Sequence, residues 1–327
     1  MFDVITFGSA TEDIFVKVNG TKVFSDAESL TGRSFSFPLG TKVDVEDLFI
    51  STGGGGTNTA VTFANQGFKV ASVVKIGKDN GGKEIMDVLK EKRVSLKFIV
   101  KDSLHATARS IILSFPEKER TILVYRGASA FLSEKDIPFS RLKAKWFYLA
   151  PLPQDSADLL KPIVDFAHKN GIKIAINPGN SEINLGEDVL KPIFNKADLL
   201  ILNKEEASLL TKVPKSNETE VLHRLKEFTK GIIIVTKGGE GALVVQGDVL
   251  YRASAPETQR LVEKTGAGDA FASGFLSGYI KKDIIYGIQF GVANATSCIG
   301  EVGAKNGLLP KDSFLSIPKV NVEKETF

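Results

Sequence analysis

A chain of 327 residues, 43% hydrophobic and 25% charged, can bury a large core as one big α/β domain or two smaller ones. Its 42 Lys and Arg against 39 Asp and Glu leave a formal charge of +3, which without any Lys/Arg block argues against a nucleic-acid partner. A single cysteine, Cys298, excludes an internal disulfide; with no signal-peptide pattern and no apolar run near the ~18 residues of a membrane span, a cytoplasmic chain without a membrane partner is expected.

In chain order, short apolar runs at residues 4–7, 70–75, 146–149, 172–176, 199–202, 232–236 and 242–245 read as buried strands. Between them, amphipathic stretches at 57–66, 83–92, 156–169, 205–210, 218–228, 270–280 and 284–298 read as helices. Continuous apolar strands separated by helices predict an α/β fold, a doubly wound and mostly parallel sheet flanked by helices. Two regions break this rhythm. Residues 14–51 and 98–126 carry alternating patterns such as Ser110-Ile111-Ile112-Leu113-Ser114-Phe115 and Arg120-Thr121-Ile122-Leu123-Val124-Tyr125. They read as a small β-sheet lid over the strand ends, where open α/β sheets bind ligands; edge strands or loops of the main domain are the other reading. Residues 1–317 thus read as one domain with the lid inserted, and 318–327 as a polar, disordered tail. The lid also offers a surface for a homodimer.

The segments that carry chemistry follow predicted strands. Asp13, after Gly8-Ser9-Ala10-Thr11-Glu12, is by itself most simply a solvated loop residue. Gly53-Gly54-Gly55-Gly56-Thr57-Asn58 precedes a helix; its glycines let backbone pass close to something small and polar, and Asn58 offers a donor and an acceptor. A flexible turn with Thr57 or Asn58 as the helix cap accounts for the same residues. Asn203-Lys204-Glu205-Glu206 matches a capping box, and at a strand's C-terminal edge it equally suits hydrated Mg²⁺ and phosphate. Thr236-Lys237-Gly238-Gly239-Glu240-Gly241 suits a nucleotide phosphate or ribose, or a hairpin turn. The most informative stretch is Thr265-Gly266-Ala267-Gly268-Asp269, whose N–H groups open a helix and so favour an anion. An aspartate there combines a base for an attacking hydroxyl with donors for developing charge, as phosphoryl transfer requires. The plain alternative is a first-turn carboxylate worth about 0.3–1 kcal/mol.

Together these segments resemble the PfkB/ribokinase family of carbohydrate and nucleoside kinases, from Phe2 to about Pro310. The glycine run ending in Thr57-Asn58 is similar to the family's N-terminal signature, the Thr265 to Asp269 stretch to its C-terminal signature, and Asn203 with Glu206 to its Asn-x-x-Glu element. The resemblance implies a ribokinase-like fold with a β-sheet lid and an ATP- and Mg²⁺-dependent kinase of a sugar or nucleoside hydroxyl. By motif, Asp269 is then the general base, and the N–H groups of Gly266, Ala267 and Gly268 form the anion hole for the transferred γ-phosphate. Asn203 and Glu206 organise the phosphates and Mg²⁺, Glu206 through water. Thr236, Gly238 and Gly241 match the nucleotide segment, Asn294 falls by the adenine, and Thr11, Asp13, Gly54, Gly55 and Asn58 hold the acceptor's hydroxyls. Many relatives carry Asp-Thr before the last signature, where the acid helps bind a monovalent cation; here stand Glu263 and Lys264. The carboxylate survives, but the lysine beside it leaves cation activation open.

A non-catalytic sugar-binding regulator is the competing class, disfavoured because a pure binder has no use for Asp269 in an anion hole. A dehydrogenase-like dinucleotide binder is set aside, since no Gly-x-Gly-x-x-Gly follows the first strand. The glycine segment brings no cation, so the expected acceptor is a neutral polyol, a free sugar ahead of a nucleoside. Arg33, Arg109, Arg120 and Arg126 are the residues able to clamp a second phosphate instead. The phenylalanines of the first lid segment, Phe15, Phe24, Phe35, Phe37 and Phe49, either fill a core or stack on a base.

Overall fold

The structure is a computed structural model and describes residues 1–18, 22–29, 32–114, 120–256, 261–313 and 319–327. Several expectations touch residues outside these: residues 19–21, 30–31 and 115–119 of the expected lid segments, residues 314–317 at the expected end of the domain, and Pro318, the first residue of the tail.

The chain opens with β1 (Phe2–Phe7), β2 (Thr11–Val18), β3 (Lys22–Ser25), β4 (Arg33–Ser36) and β5 (Val45–Gly53). Then come α1 (Gly55–Asn65), β6 (Val70–Gly77), α2 (Asn80–Glu91), β7 (Ile99–Asp102), β8 (Ala108–Ser114), β9 (Arg120–Tyr125) and β10 (Ala144–Leu149). The middle holds α3 (Leu160–Lys169), β11 (Lys173–Ile176), α4 (Asn180–Ile183), α5 (Glu187–Phe194), β12 (Leu199–Asn203), α6 (Lys204–Thr211) and α7 (Glu218–Lys226). The chain closes with β13 (Ile232–Thr236), β14 (Ala242–Gln246), β15 (Val249–Ala253), α8 (Ala267–Lys281), α9 (Ile284–Cys298) and β16 (Val322–Thr326).

Ten strands make the main sheet in the order β16-β15-β14-β13-β12-β11-β10-β1-β6-β7. It is parallel from β7 to β13 and antiparallel beyond. Apolar residues stand on both faces because helices cover both. Ile5, Phe7, Phe147 and Leu149 face a core shared with α3, α5, α6 and α7, while Val4, Trp146 and Tyr148 face one shared with α1, α2, α8 and α9. Strand order reverses at β1 and β10, the switch point where open α/β sheets bind ligands. The start of α1 is wedged there: a Cβ on Gly55 would stand 2.8 Å from that of Ala150, just past β10.

A four-stranded sheet, β5-β2-β8-β9, and the β3–β4 hairpin form the lid. Its bounds differ from expectation. It begins at Thr11, so Asp13 lies within a strand, and the residues of β7 pair with β6 at the edge of the main sheet. The tail expectation is corrected as well: β16 pairs with β15 from Val249↔Thr326 to Ala253↔Val322. Its side chains are mostly exposed; backbone pairing, the 2.8 Å Arg252–Glu325 ion pair and the packing of Val322 and the following Phe327 against the two cores hold it, and no long apolar run announces it.

Candidate active site

The first turn of α8 is set by Gly266, which caps it with φ 81°, a left-handed conformation that favours glycine. A Cβ there would also meet Ala304 at 2.4 Å. Ala267 N–H leans toward Lys264 O at 3.3 Å, whereas no protein acceptor takes the N–H groups of Gly266 and Gly268 among the described residues. These two donors, at the positive end of a 15-residue helix, face an anion most freely.

Half-buried Asp269 sits in that turn and accepts a hydrogen bond from Asn58 Nδ2 at 2.8 Å. Asn58 is 4% exposed and arrives on α1, whose cap, Gly54, has φ 93°. The neighbouring glycines are there for close approach: a Cβ on Gly53 would lie 1.8 Å from Asp13 Oδ2, and one on Gly55 3.3 Å from Asp269 Oδ1. The glycine run is therefore no loose turn; it lets two carboxylates reach one spot. Asp13 is 4% exposed and takes Thr11 Oγ1 at 2.9 Å, so the solvated-loop reading fails. Burial raises both carboxyls. For Asp269 the Asn58 bond and then the Lys305 charge oppose the rise.

Lys305 was not singled out from the sequence. It is 5% exposed, and its Nζ donates to Thr52 O and Asn58 Oδ1, both at 2.7 Å. Burial lowers it to about 7, with Asp13 and then Asp269 pulling the other way. The expectation that no cation stands beside the glycine segment is corrected: a contact 247 residues apart in sequence brings one. Its only sequence signal is a lysine between Gly303-Ala304 and Gly307-Leu308-Leu309, a stretch otherwise nearly free of charge.

At the adjoining strand edge Asn203 pairs in register with Thr236. Asn203 and Glu206 do close a capping box, Asn203 Oδ1 taking Glu206 N–H at 2.8 Å and Glu206 Oε2 taking Asn203 N–H at 2.9 Å. Burial raises the Glu206 carboxyl, and the Glu205 and Asp269 charges add to it. Gly238 and Gly241 form the turn after Thr236, with Lys237 N–H on Gly241 O at 2.8 Å. A further carboxylate the sequence did not reveal, Glu182, is 1% exposed and accepts the N–H groups of Leu152 and Gly179.

Two expectations need correction. Asn294 is fully buried and saturated: its Nδ2 donates to Ala270 O at 2.8 Å and its Oδ1 takes Leu309 N–H at 2.9 Å, so it braces the fold instead of meeting a base. A cavity of about 190 Å³ lies instead against Val292, Ala293, Thr296 and Ser297 of α9, with Pro256 and Val320. Glu263 is not open to a cation either, because Arg120 of the lid pairs with it while Thr265 donates through N–H and Oγ1, each at 2.9 Å. Arg109 is engaged too, with Glu12 at 2.6 Å, so neither arginine is available as a phosphate clamp.

The family model described as pfkB family carbohydrate kinase matches residues 27–312. Ribokinase of Mus musculus is 28% identical over 265 residues, 78% of this chain and 79% of that protein. Nucleoside kinase of Methanothermobacter thermautotrophicus is 23% identical over 230 residues, 70% of this chain and 72% of its own. Among solved structures, Arabidopsis thaliana ribokinase complexed with ribose and ATP shares the fold, with a TM-score of 0.79 at 20% identity over 96% of this chain and 97% of that one. With a family model spanning most of its length, the chain belongs to the pfkB family of carbohydrate kinases, phosphotransferases that act on sugar or nucleoside hydroxyls.

Proposed function

We propose that this chain transfers the γ-phosphoryl group of ATP to a hydroxyl of a free sugar held between Asp13 and Asp269. The observation that carries the reading is Asp269 on the open first turn of α8, with Oδ2 held by Asn58 and Oδ1 facing Gly55. The acceptor hydroxyl gives its proton to Asp269, whose raised pKa suits a base, as the hydroxyl oxygen attacks the γ-phosphorus, the bond from that phosphorus to the β,γ-bridging oxygen breaks, and ADP leaves. The N–H groups of Gly266 and Gly268, with Ala267, take the charge that develops on the transferred group. Thr11, Asp13, Gly54, Gly55 and Asn58 hold the sugar, and Thr236, Gly238 and Gly241 hold the nucleotide. The cavity along α9 takes the adenine.

Among the described residues no three His, Cys, Asp or Glu gather as a metal cage. That suits Mg²⁺, which keeps several waters and travels with phosphates; Glu206 would hold it through water beside Asn203. When bound it neutralises charge on the phosphate oxygens. Glu263 is already neutralised by Arg120, so no monovalent cation is required. A second copy of the chain is the proposed partner, through the outer lid face of Ile14, Leu48, Ile50, Ile111, Leu123 and Tyr125, which cross-strand pairing puts on one side.

One observation favours a nucleoside as the alternative acceptor. Phe15, Phe49, Ile122 and Val124 share the lid face of Asp13, and Phe49 and Val124 are 39% and 46% exposed, an apolar surface fit for a base. Steady-state kinetics with ribose, fructose, adenosine, cytidine and fructose 6-phosphate separate the readings. We expect the highest kcat/KM for a free sugar; a nucleoside preference supports the alternative, and a preference for fructose 6-phosphate refutes a neutral acceptor.

A further inference from the structure

We infer that Lys305 is a positioning residue for phosphoryl transfer: it fixes the Asn58 amide so that Asn58 presents Nδ2 to Asp269 and leaves Asp269 Oδ1 free for the acceptor. The inference rests on the reading of Asp269 as the base. An ammonium only donates and an ionised carboxylate only accepts, so the amide between them has a single satisfied orientation. Lys305 Nζ therefore claims Asn58 Oδ1 at 2.7 Å, and Asn58 Nδ2 is turned to Asp269 Oδ2 at 2.8 Å. The second Lys305 bond, to Thr52 O at 2.7 Å, ties the same ammonium to β5, so the relay also joins the lid to the base.

The lysine is held firmly enough to do this. Its segment is anchored to α1 by Gln66 Nε2 on Leu309 O at 2.8 Å, and to α9 by Asn294 Oδ1 on Leu309 N–H at 2.9 Å. Ala304, Leu308 and Leu309 are buried beside it. A purely structural filler there would be apolar, because burying an ammonium whose hydrogen bonds go to neutral oxygens is unfavourable. What faces Lys305 accounts for its presence: Asp13 from β2, Asp269 from α8 and the Cys298 thiol from α9, with Thr52 of β5 and Asn58 of α1 as its hydrogen-bond partners. Its charge favours the ionised form of both carboxylates, which burial disfavours. Since burial lowers Lys305 to about 7, the free enzyme loses this charge as pH rises through neutrality, and kcat/KM gains an alkaline limb there.

Lys305→Met, which keeps length and removes donors and charge, tests the relay with the best acceptor of the panel above. We expect kcat to fall at least about tenfold, a part of the 10²–10⁴ a general base supplies, while acceptor KM moves little. The alkaline limb of kcat/KM should vanish and the acid limb shift upward. In an Asn58→Ala background the same substitution should cost much less, because the relay is already cut. Equal cost in both backgrounds, or wild-type kcat with an unchanged pH profile, overturns the inference. If Lys305→Met does not fold, Lys305→Gln keeps a neutral donor and should still lose the alkaline limb; a limb that stays in place overturns the inference. Asp269→Asn keeps the two failures apart: wild-type turnover in it refutes the base, whereas its inactivity beside an unaffected Lys305→Met refutes only the relay.

Discussion

Glu182, on α4, takes two backbone N–H groups at 2.6 and 3.0 Å, yet burial pushes its carboxyl up from 4.5 to about 7. Because the folded-state value lies above the unfolded one, its favourable contribution is fully present below about pH 4.5 and is lost as pH rises through about 7. The amount is on the order of 3 kcal/mol. Glu182→Gln removes the titration, so the melting temperature of the variant relative to the wild type should rise by roughly 3–6 °C between pH 5 and pH 8. A difference that does not change with pH would show that Glu182 is not buried in this way. Single residues of this kind were the least legible part of the sequence. Neither Glu182 nor Lys305 sits in a motif, and each acquires its character from surroundings supplied by distant segments.

Strands and helices connect such residues, and the pairing of Arg120 with Glu263 shows how. Arg120 opens β9 of the lid, whereas Glu263 and Thr265 precede α8, and Arg120 Nη1 also reaches Thr265 Oγ1 at 2.8 Å. The lid is thereby latched to the loop that leads into α8. A potassium ion at Glu263 would have to displace a guanidinium. Replacing tetramethylammonium by potassium is expected to change wild-type kcat by less than tenfold, about 1.4 kcal/mol, and Arg120→Met should make the enzyme more responsive. A tenfold or larger gain in the wild type would refute the latch as a built-in cation. From the sequence, Lys264 looked like the competing charge, but it is exposed; the relevant cation is 143 residues away. The Asn203–Glu206 box, by contrast, was legible in full, because a helix cap is decided within four residues.

At the scale of the molecule the lid has two faces that differ in their side chains. Asp13 and Phe49 share the inner one, while Leu48, Ile50, Leu123 and Tyr125, between 46% and 53% exposed, share the outer one. Apolar side chains so exposed on neighbouring strands favour burial against another copy. Light scattering after size exclusion is expected to give twice 35.4 kDa, and Leu123→Asp with Ile50→Asp should return the monomer. A monomeric wild type at micromolar concentration removes the dimer from the proposal.

The alternation of apolar runs with amphipathic stretches determined the α/β class, most of the parallel strands and every helix but α4 and α5, because periodicity reports burial and burial is repeated along each element. Local motifs located the glycine turn that opens α8 and the capping box, whose hydrogen bonds lie within a few residues. Tertiary structure decided the rest. The tail became β16 because β15 had an open edge to pair with; Asn294 became a brace because α9 turns it into the core. Asp13 became a buried site residue because β2 belongs to the lid. The assembly of Asp13, Asn58, Asp269 and Lys305 depends on four segments meeting at one strand switch, and no periodicity within any one of them encodes where the others will be.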